Sequence, residues 1–239
     1  MQKLRVFTAF SGYDSQCLAL DRIGIEYELV GFSEIDKYAI KAHNALFPQW
    51  ADRNYGDISK IDWSQVPDFD LFTYSSPCQD YSQAGLQRGG AEGSGTRSSL
   101  LWECRRAIEA KRPKYCLQEN VAALVSQKFI KEFNRWQSIL DGFGYTSFAK
   151  VLNAKDYGVP QNRERIFMVS ILGGGQFRFP APVPLTRKVK DLLEEEVDER
   201  YYVDDEKVRK MIEHCDRKQL EGCGFKFEPT DEGGGMPRQ

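Results

Sequence analysis

A doubly wound α/β fold with a mostly parallel sheet is predicted for this chain by three observations. Short apolar runs alternate with helical patterns between residues 4 and 171. A glycine turn directly follows the first run, and polar residues able to do chemistry close several of the later ones. Alternation of this kind builds a parallel sheet with crossover helices, and in such sheets ligands gather at the carboxyl ends of the strands.

In order, residues 4–10 read as a buried strand, 15–23 as a helix, 28–33 as a second strand and 36–47 as a second helix. Further strands are expected at 71–74, 115–117, 147–152 and 166–171, with helical patterns at 100–110 and 129–140. The usual strand order 3-2-1-4-5 sets strands 1 and 4 side by side, so the loops holding Gly12 and Cys78 are expected to straddle the crevice where the order reverses.

A chain of 239 residues, 41% apolar and 28% charged, suits one domain with a sizeable core and a smaller appendage. The division is expected at 1–172 and 173–239. No apolar run reaches the roughly 20 residues of a membrane span, and the N-terminus lacks the order of a secretory signal. A cytoplasmic protein with no membrane partner is therefore expected. The 6 cysteines form no CxxC pair and the 2 histidines are His43 and His214, so zinc spacing is missing, reduced thiols are expected and no metal is predicted. Scarce histidine also disfavours Ser-His-Asp and Cys-His centres. A net charge of −2 supplies no bulk attraction to nucleic acid, which leaves local clusters such as Arg88, Arg97, Arg163 and Arg165.

The first strand ends in Phe10-Ser11-Gly12-Tyr13-Asp14-Ser15, and Glu34 closes the second. An acid about 20 residues past a glycine turn is the arrangement that holds ribose hydroxyls in nucleotide folds. GxGxxG is absent, which weakens a pyrophosphate ligand. Gly56-Asp57-Ile58 adds a carboxylate suited to an adenine amino group and an apolar side chain for its face. Spacing alone is equally compatible with an ordinary turn glycine and a surface acid.

Ser76-Pro77-Cys78-Gln79 closes the run 70–74, and Glu119-Asn120-Val121 follows the run 115–117. An isolated cysteine is usually a small buried hydrophobe, but this one follows a proline in a post-strand loop and is flanked by Gln79, Asp80 and Ser82. A thiol and a carboxylate from neighbouring strand ends suit attack by sulfur on a flat, electron-poor ring while an acid steadies a ring nitrogen. Residues 85–99 hold Gly89, Gly90, Gly93 and Gly95 with Arg88 and Arg97, the composition of a lid whose arginines meet phosphates or of a plain surface loop.

Taken in order, these motifs resemble those of the C5 cytosine-specific DNA methyltransferases, common in bacterial and phage restriction-modification systems. Phe10-Ser11-Gly12 looks like the start of the FxGxG cofactor motif, Ser33-Glu34-Ile35-Asp36 like the ribose and adenine segment, and Gly56-Asp57-Ile58 like the adenine-amino contact. Pro77-Cys78-Gln79 is similar to the nucleophile motif, Glu119-Asn120-Val121 to the acid motif and 158–165 to GVPQxRxR. The resemblance spans about residues 4–171 and implies the Rossmann-like fold of S-adenosylmethionine-dependent methyltransferases, whose cofactor carries no phosphate. It implies cofactor contacts at Phe10, Ser11, Gly12, Glu34, Ile35, Asp57, Ile58 and Pro77. It also implies a double-stranded DNA substrate with its cytosine flipped out, met by Gln79, Ser82, Arg88, Arg97, Asn120 and Gln161. Cys78 is implied to add to cytosine carbon 6 while Glu119 engages ring nitrogen 3. Arg165 is implied to hold the base oxygen and Glu119, and Arg163 to favour the thiolate or meet phosphate. For the two arginines, the competing reading is a surface strand with alternating charges.

Two departures stand out. Asp14 occupies the second glycine of FxGxG, which predicts altered loop geometry and weaker cofactor binding. Beyond residue 171 no target-recognition region, further arginine motif or final GNS-type helix is recognisable. A boundary is expected at 173–175, a proline-rich connector at 179–184, charged helices at 189–197 and 204–220, an edge strand at 222–228 and a loose tail at 231–239. The expectation is a catalytic half, truncated or completed by a second polypeptide. A tRNA cytosine-5 methyltransferase, a nucleotide-dependent oxidoreductase and a non-catalytic nucleotide-binding module are the alternatives.

Overall fold

In the computed structural model, residues 3–77 and 97–220 are described. The chain divides into two compact units, Met1–Thr186 and Arg187–Gln239. In the first, β1 (Leu4–Ala9), β2 (Tyr27–Ser33), β3 (Leu71–Tyr74), β4 (Tyr115–Val121), β5 (Tyr145–Asn153) and β6 (Glu164–Leu172) form a sheet in the order β2-β1-β3-β4-β6-β5. The helices are α1 (Ser15–Arg22), α2 (Lys37–Leu46), α3 (Glu103–Lys111) and α4 (Ile130–Gly142).

Strand periodicity sorts the apolar residues to two faces. Phe7, Phe72 and Cys116 lie in register across β1, β3 and β4 and share a core with Ala107 and Ile108 of α3 and Trp136 and Leu140 of α4. Val6, Leu29 and Leu71 lie on the opposite face, where Val6 and Leu29 pack with Cys17 of α1 and Phe47 beyond α2. Helices therefore cover both faces, which is the doubly wound arrangement. Gly31 is required by packing: a Cβ there would lie 2.6 Å from the Tyr55 ring and 2.7 Å from the Phe7 ring.

The order departs from 3-2-1-4-5. β1 is flanked by β2 and β3, so the third strand in sequence takes the position expected of the fourth, and the Gly12 loop and the segment leading to Cys78 still leave neighbouring strands. β6 runs antiparallel between β4 and β5. β4 continues through Val121 rather than ending at 117, because β6 pairs with it along that length. Glu119 and Asn120 thus sit in a strand, with alternate side chains on opposite faces. Residues 173–186 stay with the first unit; Phe177 packs on Phe148 at 6.1 Å and Val183 N–H donates to the Asp156 carbonyl at 2.8 Å.

The second unit holds α5 (Asp205–Leu220). The helix expected at 189–197 is reduced to one 3-10 turn, Val189–Leu192. Glu194, Glu195 and Glu196 repel one another, and Leu192 and Leu193 stay exposed, so no buried stripe sustains a helix there. The edge strand and tail expected from 222 onward lie outside the described residues. Among the described residues, no helix is long and apolar enough to cross a membrane, and no cluster of His, Cys, Asp or Glu is arranged to hold a metal ion.

Candidate active site

At the carboxyl ends of β1 and β2, the turn from β1 into α1 is made by left-handed residues, Phe10 at φ 56°, Gly12 at φ 58° and Asp14 at φ 67°. Glu34 is fixed by backbone donors: its Oε2 accepts from Gly12 N–H at 2.8 Å, and its Oε1 from the N–H groups of Ile35 and Asp36 at 2.8 and 2.9 Å. Ser11 N–H adds a bond to the Ser33 carbonyl at 3.3 Å. Asn54 then ties Glu34 to the 56–58 loop. Its Oδ1 accepts from Glu34 N–H (3.2 Å) and Gly56 N–H (2.9 Å), and its Nδ2 donates to the Glu34 carbonyl (3.0 Å). The Ser33 hydroxyl donates to the Gly56 carbonyl at 2.6 Å. Asp57 is held below the usual carboxylate range, first by the Ser59 hydroxyl and then by Ser59 N–H. Ile35 is 65% exposed beside this unit, whereas Ile58 is buried in the core.

Asp14 is not a simple replacement for glycine. It is fully buried, accepts the Thr8 hydroxyl at 2.8 Å and Cys17 N–H at 3.4 Å, and so caps α1. His43 Nε2 approaches it at 3.7 Å, and the His43 ring stacks on Phe32 at 3.8 Å. Burial pushes the Asp14 carboxyl pKa up, against the pull of Thr8, Cys17 and His43. Aspartate tolerates the left-handed region because its short side chain can bond locally.

Beyond β3, Ser76 is buried and Pro77 half-buried. Cys78, Gln79, Ser82 and Arg88 lie outside the described residues. The backbone of Arg97 opens the 3-10 helix Arg97–Trp102, but its side chain is outside them too. On the adjacent β4, Asn120 is buried and donates Nδ2 to both the carbonyl and the hydroxyl of Ser76 at 3.2 Å, linking the acid strand to the base of the Cys78 segment. Glu119 points to the other face. It faces Phe167 in register, and Arg165 stands opposite Val121. This diagonal placement brings Arg165 Nε to 3.1 Å from Glu119 Oε1, with both side chains partly exposed.

The loop between β5 and β6 carries Gln161 and Arg163, both exposed. Asn153, nearly buried at the end of β5, holds its two ends. Its Oδ1 accepts from Lys155 N–H (3.3 Å) and Arg163 N–H (3.1 Å), and its Nδ2 donates to Asn162 Oδ1 (2.7 Å). Sequence reasoning missed Asn54 and Asn153. The available signal was an asparagine just ahead of a turn, where it can satisfy backbone groups a few residues on.

The chain matches the C-5 cytosine-specific DNA methylases over residues 4–232. It is 40% identical to the type II methyltransferase M2.ScrFI of Lactococcus lactis subsp. cremoris, an alignment covering 86% of this chain and 71% of that protein.

The chain belongs to the C-5 cytosine-specific DNA methylase family.

It is also 36% identical to the orphan methyltransferase M.Rho11sI of Bacillus phage rho11s, over 94% of this chain and 50% of that one, so it spans about half the length of some relatives. Among solved structures, the fold is similar to Entamoeba histolytica methyltransferase EhMeth (TM-score 0.71, 20% identity, covering 89% of this chain and 67% of that one). It is similar as well to S. pombe Dnmt2 methyltransferase (TM-score 0.67, 21% identity, covering 89% and 66%). The family uses S-adenosyl-L-methionine as methyl donor. The donor set of this chain fits that molecule: a prepositioned carboxylate at Glu34, a second at Asp57 and exposed apolar surface at Ile35 and Tyr13 suit a nucleoside.

Proposed function

We propose that this chain carries the catalytic residues of a DNA (cytosine-5-)-methyltransferase acting in the cytoplasm on double-stranded DNA. The observation that carries the reading is the Glu119–Arg165 pair at 3.1 Å, in which Glu119 stands on β4, next to the strand β3 that precedes Cys78 in the chain, and Arg165 on β6, the neighbour of β4 on its other side. The homologues' names and the family match support it. Gly12, Glu34 and Asp57 would hold S-adenosyl-L-methionine, with Phe10, Ser11, Ile35 and Pro77 around them and Ile58 anchoring the Asp57 loop in the core. When bound, the cofactor supplies an electrophilic methyl group.

The Cys78 thiolate adds to carbon 6 of a flipped-out cytosine. Electron density moves toward ring nitrogen 3, which Glu119 meets with a proton. Arg165 holds Glu119 in place and the base oxygen with it. Carbon 5, made nucleophilic, would take the methyl group that bound S-adenosyl-L-methionine would supply, with S-adenosyl-L-homocysteine as the leaving group; return of the nitrogen 3 proton to Glu119 and loss of the carbon 5 proton to solvent would then restore the ring double bond and expel the thiolate. Arg163 favours the thiolate or meets phosphate, and Gln79, Ser82, Arg88, Arg97 and Gln161 meet the DNA, while the buried Asn120 supports this side through its bonds to Ser76. Sequence-specific recognition, which needs base contacts in addition to phosphate contacts, includes a second polypeptide in this reading.

An oligonucleotide containing 5-fluorocytosine tests the centre, because fluorine at carbon 5 cannot leave as a proton does. The wild-type protein with S-adenosyl-L-methionine is expected to give a covalent adduct at Cys78, and Cys78→Ala none. An adduct formed equally by Cys78→Ala refutes the assignment. Repeating the trapping with RNA separates the DNA reading from the tRNA one, and adding candidate partner polypeptides tests the second subunit.

A further inference from the structure

We infer that Asn54 is a positioning residue for the cofactor, setting the distance between the carboxylate that holds the ribose and the loop that holds the adenine. This rests on the cofactor reading above. Asn54 contributes no reactive group; its amide instead joins pieces of chain that the sheet alone leaves independent.

Segment 53–56 runs beside the end of β2. Phe32 N–H donates to the Arg53 carbonyl at 3.0 Å, and Tyr55 N–H to the Phe32 carbonyl at 2.8 Å. Asn54 is paired with Phe32 in a parallel bridge, and its side chain reaches forward past the strand end. There the amide oxygen collects the N–H groups of Glu34 and Gly56, while the amide nitrogen closes the ring onto the Glu34 carbonyl. Both polar ends of one planar group are used, so the two loops cannot shift independently without breaking a bond. Glu34 in turn accepts from Gly12 N–H at 2.8 Å. A continuous chain of contacts therefore runs from Gly12 through Glu34 and Asn54 to Gly56. Gly56 has φ 70°, so the loop leaves Asn54 in a conformation most side chains avoid. Prepositioning of this kind lowers the ordering cost of binding, and its loss is read as weaker affinity rather than as lost chemistry.

The test uses isothermal titration of the full chain with S-adenosylhomocysteine, together with thermal melts. The wild-type protein is expected to bind. Asn54→Ala is expected to bind about tenfold more weakly with little change in melting temperature. Asn54→Asp, which keeps both accepted bonds and loses the donated one, is expected to recover part of that loss. Failure of the wild-type protein to bind overturns the cofactor reading itself. Wild-type binding with an unchanged Asn54→Ala affinity overturns the role of Asn54 alone. Hydrogen exchange on the wild-type protein gives an answer independent of how the variants fold: the amides of Glu34 and Gly56 are expected to be protected before any ligand is added, and exchange at solvent rates refutes the inference.

Discussion

Around Gly12, Glu34 and Asn54 the site is assembled from backbone N–H groups held by side-chain oxygens at 2.8–3.2 Å. Around Glu119 and Arg165 it is assembled from side chains that reach toward each other across antiparallel strands. The first region fixes shape, since each backbone donor is part of a loop whose path is thereby set. The second concentrates charge at the place where the proposed mechanism activates a ring. Substitutions in the first should act on cofactor affinity, and those in the second on rate.

The largest effect expected from this contrast is at Glu119. Glu119→Gln keeps size and loses the capacity to take up and deliver a proton, so single-turnover methylation should slow by about 10²–10⁴-fold while S-adenosylhomocysteine affinity stays near wild type. Equal losses in both would erase the distinction between the regions. Asn153→Ala removes the acceptor for Lys155 N–H and Arg163 N–H at the arginine loop. About a tenfold loss of rate is expected, again with cofactor affinity preserved, as measured by single-turnover assay and calorimetry.

In the cofactor region, Asp14→Gly pits two terms against each other. Glycine relieves the left-handed backbone by roughly 1 kcal/mol, but it strands the buried Thr8 hydroxyl, a cost of about 1–3 kcal/mol, and removes a buried side chain. Net destabilisation of about 1–2 kcal/mol follows, visible as a melting temperature lower by about 2–8 °C. Asp14→Asn, which keeps the shape and a cap acceptor, should lose less. A more stable Asp14→Gly would mean that the buried bonds count for little.

The smallest effect lies away from both regions and serves as their control. Asp70, just before β3, takes the Arg5 side chain at 2.8 and 3.1 Å and is held below the usual carboxylate range chiefly by that hydrogen bond. Its contribution is present above the unfolded pKa of about 3.9 and is lost as pH falls through the lower folded value. The stability gap between wild type and Asp70→Asn, followed by denaturant titration, should therefore narrow on acidification below about pH 4, with cofactor affinity at neutral pH unchanged.

Much of the framework was legible in the linear chain. The runs that became β1, β2 and β3, the glycine turn after β1 and the placement of Glu34 at the end of β2 are local matters of periodicity and turn chemistry, read from neighbouring residues. Glu119 and Arg165 could be singled out by residue type and motif. Their contact was implied by the family resemblance, but local spacing could not give it, because the approach to 3.1 Å depends on β6 inserting antiparallel between β4 and β5.

What the chain determined by itself was therefore the alternation of strand and helix and the choice of candidate reactive groups, since both follow from side-chain chemistry, motif and short-range spacing. Only the tertiary structure decided the strand order, the extension of β4 through Val121, the burial of Asp14 against Thr8 and His43, and the tie that Asn54 makes between two loops. Each of these is a pairing between parts of the fold that local propensity leaves free, and each is settled by which arrangement buries the apolar faces while satisfying the polar groups brought in with them.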